Sequence, residues 1–118
     1  EAIVTVMHLN EDVIDMSYRL VFDEKMPGDV IVDLTVSPDD LMFLIRGNTT
    51  LLVQHRGLER VIAIFNKPQD GPSDFKLPIC EQSHFSHAKF TRDSQFVVAT
   101  MFRNVYVWQI SSGSLVSA

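Results

Sequence analysis

The stretches VSPDDLMFLIRGNTTLLVQH (residues 36–55) and FTRDSQFVVATMFRNVYVWQ (residues 90–109) decide how the rest of this chain reads. Laid over one another at an offset of 54, they share one pattern of apolar and turn residues. Val36 meets Phe90, Asp39 meets Asp93, Phe43 meets Val97, Leu51 meets Val105 and Val53 meets Val107. Both copies read as strand, polar turn, strand, short turn, strand. Runs of β-branched and aromatic residues favour extended backbone, and the Asp- and Ser-rich clusters between them supply turn chemistry. The opening segment joins this series at its third strand. IVTVMHL (3–9) aligns with TLLVQHR (50–56) at an offset of 47 and with NVYVWQI (104–110) at an offset of 101. Val6, Val53 and Val107 then share one slot, and Met7, Gln54 and Trp108 share the next.

Outward from the repeat, the remaining apolar runs are also of strand length: YRLVF (18–22), VIVDLTV (30–36), RVIAIF (60–65) and HAKFT (87–91). Turn residues punctuate them at Pro27-Gly28-Asp29, Gly47-Asn48 and Ser111-Ser112-Gly113-Ser114. No segment carries a long helical apolar stripe, and the span 9–20 reads as a loop in which Asn10 caps at most a short turn. The expected fold class is therefore all-β, an antiparallel meander. LMFLI (41–45) and VIAIF (61–65) are apolar on both faces. A sandwich or open barrel leaves one side of its strands wet and shows clean alternation, whereas sheets stacked on sheets cover both sides.

The last copy resembles the WD-repeat family. Phe90-Thr91-Arg92-Asp93-Ser94 is similar to the family's FSPDG turn, and Phe96-Val97-Val98-Ala99-Thr100 to its second strand. Val105-Tyr106-Val107-Trp108-Gln109-Ile110, followed by Ser112-Gly113, is similar to its third strand and exit turn. The middle copy keeps the turn better, as Val36-Ser37-Pro38-Asp39-Asp40, but has Gln54 at the tryptophan slot. The departures are a spacing longer than the usual 40–45 residues, Trp108-Gln109 in place of Trp-Asp, and Glu81-Gln82-Ser83 where a Gly-His dipeptide belongs. The family's polar side-chain network is not recoverable, so the blades are expected to be held by apolar contact. The resemblance implies a partial β-propeller of about two and a half four-stranded antiparallel blades. Residues 1–22 end one blade, 30–65 form a complete one, 86–118 form most of a third, and 66–83 are an inter-blade insert. A partial ring leaves edges and apolar blade faces for further sequence or a partner to cover, and the isolated piece is expected to be poorly stable or aggregation-prone.

Composition bounds the function. Apolar residues make up 46% of the 118 and charged residues 21%, which fits a folded domain and argues against disorder. No apolar run approaches the roughly 18–20 residues of a membrane span. The chain opens on Glu1 with no initiator Met and no signal-peptide pattern, so a piece of a longer protein is expected. Cys80 is the sole cysteine, so no intrachain disulfide forms and a cytoplasmic location is expected. The sequon Asn48-Thr49-Thr50 is more simply a chance match. The net charge of −5 disfavours a nucleic-acid partner. That charge is uneven. Residues 1–45 hold ten acids and two bases, and residues 46–118 hold five acids and eight bases.

Chemistry-bearing residues are sparse. His84 and His87 are three apart, a spacing that sends strand side chains to opposite faces, so no metal is expected. Cys80 follows Pro78-Ile79 and reads as a small buried hydrophobe. Asp39-Asp40 sits at the repeat's turn, where Asp bonds its own backbone, and not as an acid–base pair. Trp108 reads as core packed between blades. No catalytic set and no cofactor site is expected. The insert carries Pro68, Asp70, Pro72, Phe75, Lys76 and Pro78, and a loop of that length in a compact domain is a binding candidate. Asp70, Phe75 and Lys76 are its candidate contacts, with Arg46, Phe102 and Arg103 from the second-to-third strand turns as secondary ones. The expected function is a protein–protein interaction scaffold that packs against neighbouring blades of a parent chain. The alternatives are a ring that restrains an attached nucleotide-dependent switch ATPase, since divergent repeats of this kind occur in such proteins, and a ligand-binding or enzymatic propeller whose site lies in other blades.

Overall fold

A computed structural model describes residues 2–8, 13–66, 84–101 and 103–117. Within them the chain is all-β, with ten strands and one helical turn. In chain order the elements are β1 (Ala2–His8), β2 (Val13–Leu20), α1 (Phe22–Lys25), β3 (Asp33–Val36), β4 (Met42–Arg46), β5 (Thr50–His55), β6 (Val61–Asn66), β7 (His87–Phe90), β8 (Phe96–Met101), β9 (Asn104–Gln109) and β10 (Leu115–Ser117). They form a β1-β2 pair and two four-stranded antiparallel meanders, β3-β4-β5-β6 and β7-β8-β9-β10.

At two places the strands differ from the sequence expectation. The span 9–20 was expected to be loop, but Val13–Leu20 is a strand paired to β1 from Ala2↔Leu20 to His8↔Val13. Its alternation is clean: Ile14, Met16, Tyr18 and Leu20 are apolar between Asp15, Ser17 and Arg19. The run 30–36 begins its strand only at Asp33, with Val30 and Val32 59% and 47% exposed ahead of it.

The repeat holds at the level of single hydrogen bonds. In the first sheet Ser37 Oγ bonds Asp39 Oδ1 and accepts from Met42 N, while Asp39 Oδ1 accepts from Leu41 N. In the second sheet Thr91 Oγ1 bonds Asp93 Oδ1 and accepts from Phe96 N, while Asp93 Oδ1 accepts from Gln95 N. The backbone follows suit. Asp40 N to Ser37 O and Arg56 N to Leu41 O reappear as Ser94 N to Thr91 O and Ile110 N to Gln95 O. Asp40 and Ser94 are the only described non-glycine residues at positive φ, 66° and 60°. Each donor and acceptor pair is thus displaced by the offset of 54 that aligns the sequences. The side-chain oxygens satisfy turn N–H groups that the strand ladder leaves free, which is why Ser or Thr and Asp stand at these slots.

Strand side chains alternate between the two faces of a sheet, and in the first sheet both faces are buried. One face offers Met42, Leu44, Leu51, Val53, Ala63 and Phe65. These join Phe85, Phe90, Val97, Ala99, Met101, Trp108 and Ile110 of the second sheet and its lead-in in one core cluster. The opposite face offers Phe43, Ile45 and Leu52, which pack with Leu20 and Phe22 at the end of β2 and the start of α1. β4 is accordingly buried at four successive positions, whereas β8 alternates between half-buried and buried. The sheets are therefore stacked in series, and each places the same register positions toward the element before it. Phe43 faces the β2–α1 side, and its counterpart Val97 faces the first sheet.

Trp108 is the hub of the inter-sheet core. It is 3% exposed, stacks on Phe65 at 5.2 Å between ring centroids, and meets Phe85 edge-on at 5.9 Å. Offset and edge-on aromatic pairs add to the gain from area burial. Gln54, at the matching slot of the first sheet, is 1% exposed. Its carboxamide accepts from Val21 N at 3.0 Å and donates to Arg19 O at 2.7 Å. An aromatic ring in one copy and a bidentate amide in the other thus occupy one slot, each joining its sheet to the preceding element.

Candidate interaction surface

The β4–β5 turn and residues 84–86, which lead into β7, meet at one end of the stack, and the β8–β9 turn lies at that end of the second sheet. The β3–β4 and β7–β8 turns meet at the other end, where Asp39 N donates to Ser94 Oγ at 3.1 Å.

The first end is built on Asp29. Its carboxylate accepts from Asn48 N at 2.8 Å, Thr49 N at 3.0 Å, Val30 N at 2.8 Å and Thr49 Oγ1 at 3.4 Å. Burial alone would raise the Asp29 pKa, but these four donors outweigh it and hold the carboxyl below the ordinary 3.8. Gly47 makes this approach possible. A Cβ there would stand 2.5 Å from Asp29 Oδ2 and 2.6 Å from Phe22 Cζ. The sequence marked Gly47-Asn48 as a turn, but nothing local in it indicates that residues 22 and 29 press against it.

Arg46, a candidate partner contact, is placed in the seam between the sheets. Its Nη1 donates to Phe85 O at 2.7 Å, its Nη2 lies 3.9 Å from Asp33 Oδ2, and its side chain is 15% exposed. Phe85 N in turn donates to Asn48 O at 2.7 Å. Arg46 therefore braces the entry to β7 against β4. Arg103 is exposed in the β8–β9 turn. Asp70, Phe75, Lys76 and Phe102 lie outside the described residues, as does Cys80.

His84 and His87 are both exposed, and no group of three or more potential metal ligands occurs among the described residues. Asp39 and Asp93 serve their turns. The exposed Asp93 carboxyl is held below its ordinary value first by the Thr91 hydroxyl and then by Gln95 N. Among the described residues no helix is long and apolar enough to cross a membrane.

A second surface was not singled out in the sequence. The face of β7–β10 turned away from the first sheet carries Phe96, Val98, Val105 and Val107, since Val98 pairs with Val107 and Thr100 with Val105. Val105 is 50% exposed and the other three are half-buried. Each is an apolar β-strand side chain with water on one side, which is costly at about 25 cal/mol per Å² of apolar surface left uncovered.

No protein-family profile matches the chain, and no curated protein sequence matches it.

Proposed function

We propose that this chain is part of a divergent WD-like propeller that acts as a protein–protein interaction scaffold. The observation that carries this reading is the turn network reproduced bond for bond between two four-stranded meanders stacked in series. Repetition of a whole sheet with its turns, joined to the next by apolar contact, is how solenoids and propellers build rigid platforms. Rigid sheets hold loops in fixed places, and loops so held are where partners are met. The loop end shaped by Asp29, Gly47 and Arg46 is the face we assign to the partner, and Asp70, Phe75 and Lys76 of the insert, which lie outside the described residues, are further candidate contacts.

The test is site-specific photo-crosslinking in cells. A benzophenone side chain at Thr49, Phe75 or Arg103 is expected to give discrete protein adducts, and the same probe at Ser112, on the opposite end, none. Equal labelling at both ends, or no adduct at the loop end, would sink the assignment.

A further inference from the structure

We infer that Val30 and Val32, with the Asp33 carboxylate beside them, are the anchor at which the loop end takes its partner, a protein segment that presents apolar side chains flanked by lysine or arginine. The inference rests on the scaffold reading and names the contact within that face.

The two valines are displayed on a fixed backbone. Residues 26–32 join α1 to β3. Asp29 N donates to Met26 O at 3.0 Å, Val30 N to Asp29 Oδ1 at 2.8 Å and Val32 N to Arg46 O at 2.8 Å. Between the valines, Ile31 packs against the cluster of Phe22, Phe43 and Ile45. The segment is thus held on both sides of Ile31, while Val30 and Val32 stand in water at 59% and 47% exposure.

The repeat supplies the control. At the offset of 54, residues 30–33 correspond to His84, Phe85, Ser86 and His87. The backbone agrees: Ser86 N donates to Thr100 O as Val32 N does to Arg46 O. Phe85 enters its core as Ile31 enters the other. His84, Ser86 and His87 are all exposed, although the whole of β3–β6 stands before them in the stack. A complete preceding sheet therefore leaves these slots in water, and the fold accepts polar residues there. The valines serve no packing that the repeat requires. Aliphatic side chains held in water gain free energy when a partner covers them.

Charge selects the occupant. The Asp33 side chain is 56% exposed. Its Oδ1 accepts from Leu34 N at 2.8 Å. Its Oδ2 stands 3.9 Å from Arg46 Nη2, too far for a hydrogen bond, while Arg46 Nη1 makes its short bond to Phe85 O. The carboxylate thus keeps one oxygen for a cation from outside. Residues 22–33 hold four acids, Asp23, Glu24, Asp29 and Asp33, against the single base Lys25. Such a field repels an anionic lipid surface and a second copy of the same segment, and it attracts a basic one.

The test measures fluorescence anisotropy of short labelled peptides added to the 118-residue chain. One peptide alternates leucine and lysine, one leucine and glutamate, and one serine and lysine. The leucine–lysine peptide is expected to bind about tenfold or more tighter than either of the others. Val30→Ser combined with Val32→Ser should remove that difference and leave the urea midpoint within about 0.3 M of wild type, because both side chains are exposed. Asp33→Asn keeps the acceptor for Leu34 N and should weaken the leucine–lysine peptide about threefold or more. Equal binding of the leucine–lysine and serine–lysine peptides, or of wild type and the double-serine variant, overturns the anchor. Valine-dependent capture by phosphatidylserine vesicles, or valine-dependent self-association in sedimentation velocity, overturns the choice of occupant. If the peptides fail while benzophenone at Thr49 still yields discrete adducts, the anchor falls alone. Loss of both removes the scaffold reading beneath it.

Discussion

Gln54→Met is the most informative single substitution in this molecule. Methionine fills nearly the same volume, so the change removes the amide and leaves the shape. What is lost is the acceptor for Val21 N at 3.0 Å and the donor to Arg19 O at 2.7 Å. Val21 is 4% exposed, so its N–H is orphaned away from water. An unsatisfied buried donor costs about 1–3 kcal/mol, and a carbonyl that loses one of its two possible partners costs less. Removing the buried amide itself returns about 1 kcal/mol. The net is a destabilisation of about 2 kcal/mol, close to a thirtyfold fall in the folded-to-unfolded ratio. With a urea slope of about 1.5 kcal/mol per molar, the midpoint should fall by about 1.3 M. Hydrogen exchange gives the local signature. The Val21 amide should lose protection well beyond the global change, while Leu52 and Val53, in the same strand, follow the global change only. A midpoint within about 0.3 M of wild type, with Val21 still protected, would refute the claim that this amide ties β5 to the end of β2.

Four further outcomes follow from the geometry. Gly47→Ala should destabilise by about 3 kcal/mol in urea melts, since the new methyl must displace either the Asp29 carboxylate or the Phe22 ring. Asp29 has a depressed folded pKa, so its contribution is present in full above 3.8 and is lost as the pH falls through the lower folded value. Urea midpoints from about pH 5 to about pH 2 should therefore fall less steeply for Asp29→Asn than for wild type. Trp108→Ala should cost about 3–5 kcal/mol and release the inter-sheet core, which near-ultraviolet circular dichroism would report. Asp40→Gly should stabilise by about 0.5 kcal/mol by relieving positive φ at the expense of the ion pair between its exposed carboxylate and the largely buried Arg56 side chain, whereas Ser94→Gly should gain nothing because it also loses the bond from Asp39 N.

The repeat was legible because its determinants are local. Ser37 and Asp39, and Thr91 and Asp93, close turns within six residues of chain, and the two-sided apolarity of LMFLI states directly that both faces are covered. The joints between elements were not legible. Gln54 reads as a polar substitute for tryptophan, and its purpose depends on Arg19 and Val21, 35 and 33 residues earlier. Those partners sit in YRLVF (18–22), whose strand character reads from the sequence, while the start of β2 from Val13 reads as loop despite the alternation of Ile14, Met16, Tyr18 and Leu20. Arg46 followed the same logic. A charged residue at a turn reads as a surface contact until Phe85, 39 positions later, is seen to take its hydrogen bond. Contacts between distant residues have no periodic trace in the chain, so pattern reading recovers the sheets and loses what links them.

The unequal cover on the two sheets has a consequence for how each tolerates change. In β4 every position from Met42 to Ile45 is enclosed, so a polar replacement at any of them is penalised. In β8 only Val97, Ala99 and Met101 are enclosed, while Phe96, Val98 and Thr100 keep contact with solvent. A saturation screen of the two strands should show a two-residue beat in β8 and a flat, uniformly intolerant profile in β4. Two segments of one pattern would then answer to different rules, set by how many neighbours each sheet has.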